Sequence, residues 1–184
     1  ETLPKDVIDQ ERVINVFEDA PWLAFDQGLM TATEVIQTIS QQLELPLDTI
    51  ERLVASAKAS LTPKHDSIAL VKQLAHQGIS MYAITNMSHD FFEHLQEQYT
   101  FWSLFRGFVV SGKIKILKPD PAIFQYATNT FKIKPHETIF IDDRIENVEA
   151  AQRFGFSSIH FTDIDHCKVQ LQRLFGNESL SISD

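Results

Sequence analysis

Two adjacent carboxylates, Asp142 and Asp143, close the apolar run Ile139-Phe140-Ile141, which has strand character. Neighbouring acids repel one another, and a fold tolerates that repulsion when a hard, oxygen-seeking cation such as Mg²⁺ sits beside them. The alternative reading is a helix N-cap followed by a solvated acid. Further upstream, the apolar segment Ile79-Ser80-Met81-Tyr82-Ala83-Ile84 runs into Thr85-Asn86, a hydroxyl and an amide. Lys118 follows in Lys118-Pro119-Asp120-Pro121, ahead of the helical stretch from Ala122 to Phe131. A hydroxyl donor, an ammonium and paired carboxylates at the ends of separate segments suit a phosphoryl group with its magnesium ion.

This ordered set resembles the motifs of the haloacid dehalogenase (HAD) superfamily, most of whose members are phosphatases. Thr85-Asn86 matches the second motif, Lys118-Pro119 the third and Asp142-Asp143-x-x-x-Asn147 the fourth. The resemblance runs from the region of Trp22 to about Phe161, and is nearest to the cap-bearing branch: sugar-phosphate phosphatases and the phosphatase domain of soluble epoxide hydrolases. It implies phosphate monoester hydrolysis of a small phosphorylated metabolite through an aspartyl-phosphate, with Mg²⁺ as cofactor. It also implies roles. Asp143 would bind the metal directly and Asp142 stand behind it or bind through water, while Asn147 orients the acidic loop. Thr85 and Asn86 would hydrogen-bond the phosphoryl oxygens. Lys118 would neutralise nucleophile and phosphoryl charge, and its loss is expected to cost turnover rather than stability.

The first motif, Asp-x-Asp at the end of a strand, supplies the nucleophile in that family, and no such element precedes Thr85. Asp6 and Asp9 are the nearest acids, but they follow Pro4 and Lys5 rather than an apolar strand and have the wrong spacing. The chain opens on Glu1, and the expectation is that the nucleophile strand lies shortly before it, leaving the 184-residue chain inactive by itself. The competing reading is a noncatalytic HAD-like binding or scaffold protein. True dehalogenases carry serine or asparagine where this chain has the acid pair, which disfavours dehalogenation. A phosphate-receiver domain places its acid pair first in the chain, not last.

Composition narrows the partners. Sixteen basic and twenty-five acidic side chains give a net charge of −9, which opposes contact with nucleic acid or an anionic membrane. No apolar run approaches a membrane span. Cys167 stands alone, so neither an internal disulfide nor a thiolate metal cluster can form. A cytoplasmic protein, monomeric or homodimeric, is expected.

The elements needed to position these groups are legible in outline. Thr31-Ala32-Thr33-Glu34 has capping-box spacing, and Val35, Ile36, Ile39 and Leu43 mark one apolar helix face. Pro46 opens another helix, with Leu47, Ile50, Leu53, Val54 and Ala57 on its buried side. After Thr62-Pro63 the pattern alternates: a helix through Leu70 and Leu74 ended by Gly78, the strand Ile79 to Ile84, Phe108-Val109-Val110, the Ala122 helix, Ile139 to Ile141, a helix from Glu146 to Phe154, and Ile159-His160-Phe161. The predicted fold is α/β, a doubly wound, Rossmann-like parallel sheet with a small N-terminal helical cap. The cap spans residues 1–60, the core 61–176 and a frayed tail 177–184. His89 is read as a helix-start histidine, and Trp22 and Phe25 as packing between cap helices.

Overall fold

The computed structural model describes residues 16–176, so Asp6, Asp9 and the tail lie outside the described residues. Three helices come first: α1 (Ala20–Asp26), α2 (Ala32–Leu43) and α3 (Leu47–Ser60). Helix α2 begins with the expected capping box, in which the Thr31 hydroxyl accepts from Glu34 N–H while the Glu34 carboxylate accepts from Thr31 N–H at 2.7 Å. Val35, Ile39, Ile50 and Val54 meet between α2 and α3, and Trp22 and Phe25 of α1 close the cluster against Phe91. The Trp22 ring stands edge-on to Phe25 and Phe91 at 5.5 and 5.9 Å, contacts that add roughly 0.5–1.5 kcal/mol each beyond burial. Leu47 departs from its expected place: it is 49% exposed, because it sits in the first turn of α3 at the end of the helix pair, where nothing covers it.

Helix α4 (His65–His76) leads through Gly78, at φ +78°, into β1 (Ala83–Thr85). Then come α5 (His89–Gln98), a 3-10 turn (Thr100–Leu104), β2 (Phe108–Val110), the short α6 (Ser111–Ile114) and α7 (Pro121–Phe131). A second 3-10 turn (Pro135–Glu137) precedes β3 (Ile139–Asp142), α8 (Ile145–Phe154), β4 (Ser157–His160) and α9 (Ile164–Phe175). Strands β1 and β2 pair in parallel with Ala83 opposite Phe108, and β3 and β4 likewise with Asp142 opposite His160. Each pair is joined through helical crossover connections, as parallel pairing demands. Apolar clusters cover both faces, one around Phe124, Phe140 and Val109, the other around Leu70, Ile159 and Leu171. This is an α/β architecture with helices on either side of parallel strands.

The strands pair two by two, β1 with β2 and β3 with β4, and a cleft of about 1110 Å³ lies between β1 and β3. Residues 79–84 and 138–143 line its two walls. The strand expected from Ile79 is also shorter, starting at Ala83, because a strand exists only where a neighbour completes its ladder and this segment has one on a single side.

Candidate active site

The carboxyl ends of β1 and β3 deliver the predicted residues to one place. Lys118 arrives on the loop before α7, and its ammonium donates to Asp142 Oδ2 at 2.6 Å and to the Ile84 carbonyl at 2.8 Å. Asp142 is the last residue of β3, and its side chain is 5% exposed against 10% for that of Lys118. The other carboxylate oxygen, Oδ1, accepts from Arg144 N–H and from the Asn147 amide, both at 2.9 Å. Asp142 thus accepts from three donors. It does not cap α8, whose N-cap is Arg144 with no side-chain cap. Asn147, one turn into α8, is itself buried, with its amide donating to Asp142.

Asp143 differs in kind. It is exposed, and its carboxylate makes no hydrogen bond or ion pair among the described residues; its backbone carbonyl lies 3.0 Å from His160 Nε2. One acid is fully engaged, the other is free. Thr85 ends β1 opposite Val110, next to the Ile84 carbonyl that Lys118 contacts.

Asn86 plays a part that its sequence context does not reveal. Its side chain accepts from Lys118 N–H through Oδ1 and donates through Nδ2 to the Lys118 carbonyl, both at 2.8 Å. The side chain therefore fixes the Lys118 backbone from both its N–H and its carbonyl. Removing Lys118 would leave Asp142 buried without its cation, so this lysine carries stability as well, contrary to the expectation of a purely functional cost.

Three further residues tie the helical segment to the loop after β1, and no local signal in the sequence announces them. Asp26, at the end of α1, accepts Ser88 N–H at 3.2 Å, and its carbonyl accepts the Ser111 hydroxyl at 2.6 Å. Ser111 Oγ in turn accepts Met87 N–H at 2.8 Å. Ser111 is wholly buried and Ser88 nearly so. Burial pushes the Asp26 carboxyl up to about 6, with the Ser88 hydrogen bond opposing. The backbones also touch here: a Cβ on Gly28, at φ +72°, would meet Gly112 O at 2.2 Å. Asp26 lies 62 and 85 positions from its partners Ser88 and Ser111, and Ser111 lies 24 from Met87, separations that periodicity cannot register.

The remaining candidates resolve simply. His89 starts α5 and lies 3.2 Å from Glu93. Trp22 and Phe25 are core residues. Burial pushes the Cys167 thiol up to about 11, so it stays protonated and inert. Among the described residues no group of three or more His, Cys, Asp or Glu could hold a metal ion, and no helix is long and apolar enough to cross a membrane.

Comparison with known proteins follows the same lines. The chain is 29% identical over 161 residues to the sesquiterpene phosphatase astK of Aspergillus oryzae, covering 88% of this chain and 82% of that protein. It is 26% identical to the drimenol cyclase drtB of Aspergillus calidoustus over 85% of this chain, but spans only 30% of that larger protein. Among solved structures it is similar to a HAD family enzyme of Bacteroides thetaiotaomicron, with a TM-score of 0.71 at 22% identity over 88% of this chain and 91% of the other. Residues 17–155 match the haloacid dehalogenase-like hydrolase family, and the chain belongs to it.

Proposed function

We propose that this hydrolase is a phosphatase that cleaves a monoester of a small phosphorylated metabolite through an aspartyl-phosphate. The observation that carries this reading is the buried Lys118–Asp142 pair at the ends of β3 and β1, with the free Asp143 carboxylate beside it. A buried ion pair contributes little to stability against an apolar substitute of similar volume, so its presence at a strand-end cleft favours a functional origin.

Asp143 and Asp142 suit a hard divalent ion in chemistry, but Asp142 is consumed by Lys118, Asn147 and Arg144 N–H. Asp143 is thus the one free carboxylate of the pair, enough for one edge of a magnesium shell. A Bacteroides thetaiotaomicron relative in fold has been crystallised with magnesium and inorganic phosphate, which supports Mg²⁺ here. When bound, the ion supplies charge neutralisation to the transferring phosphoryl group.

The chain's own residues do the rest. Asn86 and Asp142 position Lys118 from opposite sides, so that its ammonium is preorganised against developing negative charge. Thr85, at the tip of β1, supplies a hydroxyl donor to a phosphoryl oxygen. Helices α1 to α3 serve as the cap over the α/β core, and Asp26 and Ser111 anchor that cap to the loop that follows Thr85. Met30 and Met87, partly buried, pack against the apolar cluster of the helical segment. With the sesquiterpene phosphatase as a relative, this favours a metabolite whose phosphate is carried on an apolar group.

The reading predicts that the protein hydrolyses a generic aryl phosphate in Mg²⁺ and that Asp143→Asn abolishes this turnover. Turnover that survives Asp143→Asn would overturn the assignment of the site, and no turnover at all would favour the second reading, a noncatalytic HAD-like binding protein.

A further inference from the structure

The acid pair at the end of β3 is gripped from β4 as well as from Lys118. Phe161 N–H donates to the Asp142 carbonyl at 2.8 Å, and His160, the register partner of Asp142, has its Nε2 3.0 Å from the next carbonyl, that of Asp143. Successive carbonyls of a straight strand point to opposite sides, so the Asp143 carbonyl comes within reach of β4 only because the chain bends at Asp143 and Arg144. A carbonyl oxygen can only accept, which makes His160 Nε2 the donor. It carries its proton in the charged ring and in one tautomer of the neutral ring alike.

The same peptide unit is held at its other end. Arg144 N–H donates to Asp142 Oδ1 at 2.9 Å, and that oxygen is itself fixed by the buried Asn147 amide. In a planar trans peptide the C=O and the N–H point in opposite directions. A donor on one and an acceptor on the other therefore settle the rotation of the Asp143–Arg144 peptide plane, and with it the backbone from which the Asp143 carboxylate projects. Among the described residues, every other oxygen of the two acids has a protein donor: Phe161 on the Asp142 carbonyl, Lys118, Asn147 and Arg144 on its carboxylate, and His160 on the Asp143 carbonyl. An acid on an unheld loop would lose backbone freedom on binding an ion, and here that ordering is already in place.

We infer that His160 is a positioning residue for the metal: by holding the Asp143 carbonyl it orients the free Asp143 carboxylate toward a divalent cation. Its ring acts through the Asp143 backbone, on the opposite end of the peptide from the Asp142–Asn147 pair. The inference rests on the phosphatase reading in taking Asp143 as the magnesium ligand.

The test is a magnesium titration followed by the amide shifts of Asp143, Arg144 and Ile145, which reads weak binding as well as tight, in the unsubstituted protein and in His160→Leu and His160→Gln. Leucine keeps the bulk of the ring without a donor, and should raise the magnesium concentration at half-saturation about tenfold, the lower end of what a group orienting a metal ligand contributes. Glutamine offers an amide N–H at nearly the reach of Nε2, and should return the midpoint to within about threefold of the unsubstituted protein. The ring-nitrogen shifts of His160 should place a proton on Nε2. Three results would overturn the inference: an unchanged midpoint in the leucine variant, an equal rise in both variants, or a neutral ring with its proton on Nδ1 alone. If the leucine variant does not fold, the tautomer and the glutamine midpoint decide. Aryl phosphate turnover is read separately. No turnover by the unsubstituted protein, with the midpoints still separated, keeps the role of His160 and removes the phosphatase reading, whereas turnover with the same magnesium dependence in all three proteins keeps the reading and removes the role.

Discussion

Replacing Asp26 by asparagine should stabilise the protein at neutral pH and do so in a pH-dependent way. The folded state raises this carboxyl from 3.8 to about 6, and burial is the larger cause. Between those values the folded protein binds a proton that the unfolded chain has released, so stability falls as pH rises through the window and levels off above it. At about 1.4 kcal/mol per unit, the ionised carboxylate costs about 3 kcal/mol above pH 6, an upper bound because the site is not wholly closed to water. Asparagine keeps an oxygen for Ser88 N–H, leaves the Asp26 carbonyl bond to Ser111 untouched and carries no charge. Urea unfolding at a series of pH values is the assay, and at pH 7.5 the midpoint should rise on the order of 1 M, given a slope of about 2 kcal/mol/M. The gain should shrink below pH 6 and vanish near pH 4. A destabilisation of equal size at pH 5 and pH 8 would refute the reasoning, since it would mean that the charge itself serves the contact.

The other consequences are more direct. Lys118→Ala should lower turnover by roughly 3–4 kcal/mol of transition-state stabilisation, and should also cost about 3–5 kcal/mol in urea unfolding because Asp142 is left buried without its cation. The two acids should separate: Asp143→Asn abolishes activity yet shifts stability by less than about 0.5 kcal/mol, whereas Asp142→Asn destabilises measurably. Magnesium should bind the 184-residue chain weakly by calorimetry, and tight binding that survives Asp143→Ala would put the site elsewhere. Gly112→Ala should destabilise by several kcal/mol, on the order of the largest single-residue effects, because its Cβ would meet His89 N at 2.5 Å and no flexible side chain can yield.

The sequence by itself determined the local elements and the chemistry they carry. The Thr31–Glu34 capping box, the apolar faces of α2 and α3, the strand segments around Phe108 and Ile139 and the ordered residues Thr85, Lys118, Asp142 and Asn147 were all legible, because each depends on neighbours within a few positions. Only the tertiary structure decided how those residues divide the work. Nothing in the pair Asp142-Asp143 says which acid is spent, and the answer comes from Lys118, 24 positions away, reaching Asp142 alone. Asn86 was legible as an amide at the end of β1, but the pairing of its side chain with the backbone of Lys118, 32 positions away, was not. The anchor of Asp26 on Ser88 and Ser111, and the split of the strands into two pairs around a cleft, likewise have no local signature. The physical reason is the same in each case: periodicity reports which face of an element is apolar, while partner choice for a buried polar group is made by whichever donor or acceptor the folded chain brings within about 3 Å.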